Sequence, residues 1–439
     1  MLSIEDNDLV TRIEGNVPCG NLLRSYWHPL ALTEELTASR AAKAVKIMGE
    51  ELILFKDDEG QYGLIDRRCP HRGADLCFGR LEDGGIRCPF HGWLFNVDGI
   101  CLEQPAEPRE SNFRKKIKIK SYPCQEINGI IFTYMGRGKA PALPHFDCFT
   151  APETHSFAFK GYLECNWLQA VEVGIDPSHA SFLHRYLKDH DPEYGLQFGG
   201  MSGDSEVTMT SVLRNHVCPD IKVEENEFGM RLITTRKMNR ESMHVRVTNL
   251  VFPNLIVIPM TNDMSISQWH VPIDDKHSWW YAIFTAFDDE IDKEAMRNQR
   301  LELYSLPDYR PRTNKTNNYG YDPEEQRTTT FTGMGMDINV HDQWAVESPG
   351  HIYDRSKEHL GTADKGIITY RRSLIKAING LIEGKPAPFL FQDEAGSKLR
   401  GPVAIDTTVD IHSWNDDWKS QDKNKREHSP SAKGFGGWL

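Results

Sequence analysis

With 439 residues the chain is too long for one hydrophobic core, and 39% hydrophobic with 26% charged residues at a mean hydropathy of -0.53 describe an ordinary globular protein, so two domains are expected. A net charge of -12 and a pI near 5.8 argue against a nucleic-acid partner, which needs a concentrated excess of Lys and Arg. No stretch approaches the roughly eighteen apolar residues of a membrane span, and the acidic start MLSIEDNDLV lacks the basic and apolar regions of a secretion signal, so a cytoplasmic protein with no membrane partner is expected.

Residues 1–40 read as a helical lead-in, with NLLRSYWHPLAL ending at Pro29. The stretch 41–145 then breaks into short apolar runs, AVKIMG, ELILFK, YGLI, IKIKSY and GIIFTYMG, separated by the Gly, Asp and Pro of a small antiparallel β domain. Within it KKIKIK, from Lys115 to Lys120, alternates charge with Ile and predicts a strand with one solvated face. PALPHF, at 141–146, reads as a linker. A second domain over 146–400 opens with a strand at FAFKGYLECNW and one or two helices between Trp167 and Tyr186. The β-branched and aromatic runs EVTMTSVL, MRLITTR, MHVRVTNLVFPNLIVIPM, MSISQWHV and SWWYAIFTAF predict an antiparallel sheet. Helices follow at 292–305, around 340–347 and at 366–383, and the charged, Trp-containing residues 401–439 read as an extension suited to wrapping a neighbour. The class is α+β.

Nine cysteines, an odd number scattered from Cys19 to Cys218, do not make a disulfide framework in a chain this large, which leaves thiols free to act as ligands. Cys69-Pro70-His71 and Cys88-Pro89-Phe90-His91-Gly92-Trp93 are two short loops that each carry one Cys and one His. Two thiolates suit one iron and two neutral imidazoles suit a second, as in a Rieske [2Fe–2S] cluster. A structural zinc site is the competing reading, but zinc fingers pair Cys with Cys and His with His. Cys77 and Cys101 read as buried thiols. The string CPHRGADLCFGRLEDGGIRCPFHGW resembles the cluster-binding segment of the Rieske oxygenases over its whole length. A Rieske ferredoxin would match it equally, so the remaining three hundred or so residues must decide.

Downstream, Asn166 to His184 contains Asp176, His179 and His184. On a regular helix an offset of five residues turns about 140°, so a break, with Pro177 starting a new turn, is needed for the imidazoles to converge. Two His and one carboxylate on one face of Fe(II) leave the opposite positions open for oxygen and substrate. A lone His pair is more often structural, yet these three residues match the mononuclear-iron motif of the same family in type and spacing. By that resemblance the third ligand is Asp342 in NVHDQWAVES, with Asp337 and Glu347 as alternatives and a helix-capping role as the plain one. Asp176 matches the position that links His91 of one subunit to His179 of the next; it also suits a helix cap.

The strings DINVHDQWAVES, DRSKEHLG and YRR, at 337–348, 354–361 and 370–372, resemble the branch containing phthalate dioxygenase and the dehydrodivanillate O-demethylase oxygenase. They depart from it at Ser348-Pro349-Gly350, where Met is expected before the Gly, and at Gly366, where a larger aliphatic residue is expected. The resemblance implies an all-β Rieske domain and a helix-grip catalytic domain in a homotrimer or a multiple of it. It also implies O2 as co-substrate and electrons from a separate NAD(P)H-dependent reductase, directly or through a ferredoxin, and the chain has no dinucleotide-binding GxGxxG of its own. The expected reaction is hydroxylation or O-demethylation of an aromatic carboxylic acid. Phe and Met residues between 198 and 264 are pocket candidates and Arg372 a candidate carboxylate clamp. The alternative is an electron carrier or iron–sulfur ligand-binding protein without oxygenase turnover.

Overall fold

The strand Glu50–Lys56 feeds two cores at once: Leu52 and Leu54 join the main core, while Ile53 and Phe55 point into a smaller one that also holds Cys69, Cys88 and Trp93. A strand covered on both faces reads as a continuous apolar run, here LILF, with period-two alternation sorting the side chains. The computed structural model in which this is seen describes residues 1–37, 41–187, 209–260, 263–391, 399 and 401–429. Phe198 and Met201, two of the expected pocket residues, lie outside them.

The N-terminal part is built of three small antiparallel sheets. Three of its hairpins turn on two residues with positive φ, Met48-Gly49, Asp83-Gly84 and Asn128-Gly129, the type I′ geometry that matches strand twist. Among its described residues the lead-in is α-helical only at Ile4–Thr11 and Pro18–Leu23, with a short 3-10 turn at Thr33–Glu35. Where a helix running to Pro29 was expected, residues Trp27–Leu32 form a strand paired with Ile130–Tyr134, and Pro29 sits beside a bulge, where no ladder donor is needed. KKIKIK is likewise not a strand: Phe113–Lys116 is a 3-10 turn and Lys118 makes a single bridge to Ile100. Ile119 is nonetheless buried and its Lys neighbours exposed, so the alternation was real and the ladder was not.

The second domain is an eight-stranded antiparallel sheet. Ser156–Leu163, Ser278–Ala286, Met264–Pro272, Leu255–Pro259, Ser242–Val251, Gly229–Lys237 and Asp220–Asn226 lie side by side in that order. The charged edge strand DIKVEEN carries no apolar signal because one side of an edge faces water. Ile405–Asp410, within the segment expected to be an extension, pairs with the first half of Ser242–Val251, and the helix Trp414–His428 buries Trp418 against Ile233, Val245 and Val247. EVTMTSVL is not a strand where it is described: Met209–Asn215 is a helix packed on the turn Ala180–Leu183, with Val212 buried. Tertiary contact has overridden a β-branched run. Among the described residues no helix is long and apolar enough to cross a membrane.

The two parts share the main core and are tied by hydrogen bonds from Met48 N–H to Pro272 O (2.9 Å), Gly49 N–H to Ile273 O (2.8 Å) and Tyr281 Oη–H to Leu30 O (2.6 Å). Behind the sheet the 18-residue helix Lys365–Ile382 buries Ile367, Tyr370, Leu374 and Ile378, one face at 3.6-residue spacing. Gly366 in its first turn is required there, since a Cβ would stand 2.7 Å from the Ile175 carbonyl oxygen.

A buried ion network fixes this helix. Glu172 accepts from Arg355 (Nη2, 2.7 Å) and Arg371 (Nε, 2.6 Å), Arg371 also pairs with Glu358, and Arg355 reaches Asn7 Oδ1 at 3.3 Å. Burial pushes the Glu172 carboxyl up, and the two guanidinium groups outweigh it, so its pKa lies below the ordinary value. Its contribution is therefore full above the unfolded carboxyl pKa of about 4.3 and is lost as pH falls through the lower folded value. Removing one partner strands a buried charge, so Arg355→Ala is expected to destabilise the protein by about 3–5 kcal/mol, whereas exchanging Arg355 and Glu172 together for Met costs far less. Denaturation midpoints at neutral pH check this; equal losses for both variants contradict it.

Candidate functional site

The two Cys-His loops close in the same way despite their different spacing. Cys69 N–H donates to Ala74 O and Gly73 N–H to Cys69 O, each at 2.8 Å; Cys88 N–H donates to Trp93 O at 2.8 Å and Gly92 N–H to Cys88 O at 2.9 Å. Gly73 and Gly92, at φ 75° and 74°, supply the left-handed residue that ends each loop. The Arg80–Glu82 and Gly85–Arg87 hairpin joins the loops and sets them face to face. Both thiols are buried, 2% and 1% exposed, whereas His71 is exposed and His91 half-buried. The imidazole centroids are 4.3 Å apart, and His71 stacks on the Trp93 indole at 4.6 Å. Burial, with Cys88 adding to it, pushes the Cys69 thiol up to about 11, while the His71 backbone N–H bonded to it pulls the other way. Cys101 is spent on the Glu103 carbonyl at 3.4 Å.

Such a donor set, two thiols inside and two imidazoles outside whose rings make no hydrogen bond among the described residues, fits a two-iron cluster with unlike ends.

The second constellation is built on a broken helix. Asn166 caps Trp167–Gly174 by accepting from Leu168 N–H, and its amide nitrogen donates to Thr11 O (3.0 Å) and Asp275 O (2.7 Å). Gln169 ties this helix to the end of Ile338–Glu347 through Val346 O at 2.7 Å. After Gly174 the chain leaves the helix, and His179 and His184 flank the single turn Ala180–Leu183. The break brings their ring centroids to 5.1 Å. Asp342 Oδ1 stands 3.2 Å from His184 Nε2 and 3.7 Å from His179 Nε2. Of the alternatives, Asp337 caps the Ile338–Glu347 helix through Asn339 N–H, and Glu347 is occupied by Glu164 N–H, Tyr319 and Gln343.

Which protons these imidazoles carry follows from their other nitrogens. His179 Nδ1 meets the Asp176 carbonyl, which only accepts, so the proton is on Nδ1 and Nε2 is a bare lone pair. His341, fully buried, donates from Nε2 to Gly335 O at 2.9 Å, which leaves its Nδ1 to accept from His184 Nδ1–H at 3.4 Å. Burial and the adjacent His184 hold His341 below the usual imidazole value, so it is neutral. His184 Nε2 is therefore a second bare lone pair. Asp342 Oδ1 is buried without a hydrogen-bond partner among the described residues. Three acceptors converging on one point repel one another unless a cation sits between them, and their ligand atoms all lie within 4.8 Å.

Asp176 serves His179 through its backbone carbonyl; its carboxylate accepts from Ser178 N–H at 2.8 Å in a turn ahead of Ala180–Leu183, whose N-cap is His179, so it does not cap a helix starting at Pro177. His341 was not singled out in the sequence, where nothing but its place beside Asp342 marks it. Arg372 is exposed and lines a different groove from the one at the histidines. Arg236 was also missed: it is 2% exposed, lines a cavity of about 200 Å³ with His179, His184 and Asp342, and donates to His216 O (3.0 Å) and Pro177 O (3.1 Å). Its Nη1 has no partner among the described residues. Burial, with Arg246 adding to it, lowers its pKa to about 10, which keeps it charged at neutral pH.

Comparison with known proteins agrees with this geometry. The Rieske [2Fe-2S] domain family matches residues 26–123, and the family described as LigXa C-terminal domain like matches residues 133–433. The chain is 33% identical over 404 residues to the phthalate 4,5-dioxygenase oxygenase subunit of Pseudomonas putida, covering 88% of each chain. It is 30% identical over 411 residues to the 5,5'-dehydrodivanillate O-demethylase oxygenase subunit of Sphingobium sp., covering 91% of this chain and 85% of the relative. The crystal structure of dicamba monooxygenase bound to dicamba shares the fold, with a TM-score of 0.56 at 16% identity over 83% of this chain and 99% of that one. The alternative of a carrier without turnover is thereby set aside, and the chain belongs to the Rieske non-haem iron oxygenases, as a terminal oxygenase component of the phthalate dioxygenase and dehydrodivanillate O-demethylase branch that works with a [2Fe–2S] cluster, mononuclear iron and O2.

Proposed function

We propose that this oxygenase hydroxylates or O-demethylates an aromatic carboxylic acid whose carboxylate is held by Arg236. The observation that carries the substrate class is the buried guanidinium in the histidine cavity, partly unpaired among the described residues: a charged donor left unsatisfied in a buried wall is costly until an anion meets it. Leu163, Val173, Ile258 and Trp280 give the same cavity an apolar lining that suits a ring and excludes water.

In this reading Cys69, His71, Cys88 and His91 hold the cluster, and His179, His184 and Asp342 hold the iron. When bound, the two centres supply single electrons and a site where O2 is reduced. The residues do the rest. The Asp176 and Gly335 carbonyls, the latter through His341, keep both Nε2 atoms unprotonated, and Arg236 braces the metal loop through Pro177 while fixing the acid end of the substrate. The opposite end of the ring then meets the open face. A ring carbon there becomes hydroxylated; a methoxy carbon leaves as formaldehyde and frees a phenol.

The exposed imidazole edge, with Phe90 packed on His91 at 4.0 Å and 54% exposed, supports a head-to-tail contact in which His91 of one subunit meets the Asp176 carboxylate of the next. A homotrimer or a multiple of it, a separate NAD(P)H-dependent reductase and a reducing cytoplasmic setting complete the proposal. The units 1–40, 41–145, 146–400 and 401–439 are meant as functional ones, because the main core crosses them.

His179→Ala is expected to abolish product while the visible spectrum of the cluster persists; unchanged turnover contradicts the assignment. His341→Ala lowers iron retention against a chelator by roughly ten- to a hundredfold, as for other groups that orient a ligating His, again with the cluster spectrum intact. Arg236→Gln weakens benzoate binding by about tenfold or more, measured calorimetrically on the holoenzyme, and an unchanged affinity removes Arg236 from the site.

A further inference from the structure

The strand Ser242–Val251 divides its side chains between two environments. Val245 and Val247 pack with Trp418 on one face, so His244, Arg246 and Thr248 point to the other, where Arg246 and Thr248 line the cavity of His179, His184 and Asp342. Arg236 pairs with His244 in the neighbouring strand, which makes it a diagonal neighbour of Arg246. Two arginines therefore stand in one wall of the histidine cavity.

Their charges are met differently. Asp406 lies directly across from Arg246 on the C-terminal strand Ile405–Asp410, and its carboxylate accepts from Arg246 Nη1 through one oxygen and from His244 Nε2, at 2.6 Å, through the other. Arg246 Nη2 donates to the Pro259 carbonyl at 3.1 Å. Burial pushes the Asp406 carboxyl up, but Arg246 and His244 outweigh it, so its pKa lies below the ordinary value and it is ionised at neutral pH. Arg236 donates to two backbone carbonyls, makes no ion pair among the described residues and keeps Nη1 open. The carboxylates that line the cavity, Asp176 and Asp342, belong to the loop of His179 and to the metal triad.

We propose that Asp406 is a positioning residue for acid recognition: it holds the Arg246 guanidinium out of use, leaves Arg236 as the open one in the wall, and so limits how tightly the cavity grips a carboxylate. This rests on Arg236 as the carboxylate receptor and deepens that reading. Hydroxylation and O-demethylation both leave the carboxylate in place, so a second open guanidinium would grip substrate and product alike. Such uniform binding does nothing for the chemical step and slows release of the product. The C-terminal segment is thereby part of the site, since it supplies the counter-charge from 160 positions downstream of Arg246.

The test is calorimetric binding to the intact holoenzyme of benzoate, of its neutral counterpart benzamide, and of 3-hydroxybenzoate as a hydroxylated acid. Asp406→Asn, which keeps the size and still accepts from Arg246, should tighten both acids by roughly tenfold, the scale of a charge-assisted hydrogen bond, and leave benzamide unmoved. Adding Arg246→Gln to Asp406→Asn should return both acids to within about threefold of the native affinity, because the pair as a whole carries no net charge. A merely structural role would weaken acids and amide alike, which overturns the proposal. So does an unchanged acid affinity in Asp406→Asn, or a tenfold loss in the double variant, which would show Arg246 already holding the acid. The double variant strands no charge, so it keeps the proposal open to failure where Asp406→Asn alone does not fold. If benzoate binding depends on Arg236 but Asp406→Asn does not tighten it, this inference falls and the proposed function stands. If the native holoenzyme does not prefer benzoate to benzamide, both fall.

Discussion

The chemistry of this chain depends on two backbone carbonyls that decide where imidazole protons sit. The Asp176 carbonyl takes the Nδ1 proton of His179; the Gly335 carbonyl takes the Nε2 proton of His341, which turns His341 into an acceptor for the Nδ1 proton of His184. A carbonyl cannot donate, so neither arrangement can invert, and both Nε2 lone pairs are forced toward Asp342. A facial triad needs this more than it needs the three residue types, since an imidazole protonated on the inward nitrogen repels a metal. The sheet, the broken helix and the ion network serve to hold those carbonyls in place.

That holding is rigid by construction. Ile175, one residue before Asp176, is pressed by Gly366 of the long helix, which is itself anchored by Glu172 through Arg371. Glu172 lies on the helix that leads into the loop of His179 and His184, so one network restrains that loop from both its own helix and the helix behind. On the other side Arg236 bonds the Pro177 carbonyl from the sheet. Gly366 departs from the pattern of the family branch, and the close backbone approach gives the reason: with no Cβ, the long helix sits lower on the loop.

Much of this was legible in the sequence, and the limits have physical causes. The two Cys-His loops and the His pair with its intervening break stood out as candidates because metal chemistry restricts residue type and spacing, whereas Asp342, which lies beside that pair, was singled out only through the family resemblance. Most strands of the catalytic sheet were readable from β-branched runs. Pro29 misled because a bulge removes the need for its missing donor, and MTSVL misled because a partner helix, not propensity, decides its state. Arg236 carried no signal, and His341 none beyond its place beside Asp342. Their surroundings come from distant partners, which local pattern does not encode: Gly335 is near in sequence to His341, but the cavity wall that Arg236 joins draws on residues from Leu163 to Val346.

The charge of the whole chain and the charge of its cavities point in opposite directions, and range explains why. A net -12 is spread over a wet surface, where salt damps it within about 8 Å, whereas a guanidinium in a dry wall acts at full strength on whatever touches it. Arg236 is such a group in the histidine cavity. Leaving Arg236 incompletely bonded, as it is among the described residues, lowers the stability of the free protein, and an apolar residue of similar size would pack that wall better. The loss is the source of discrimination: a pocket already satisfied by its own protein has nothing left to distinguish an acid from a neutral ring, and a pocket that is short of an anion does.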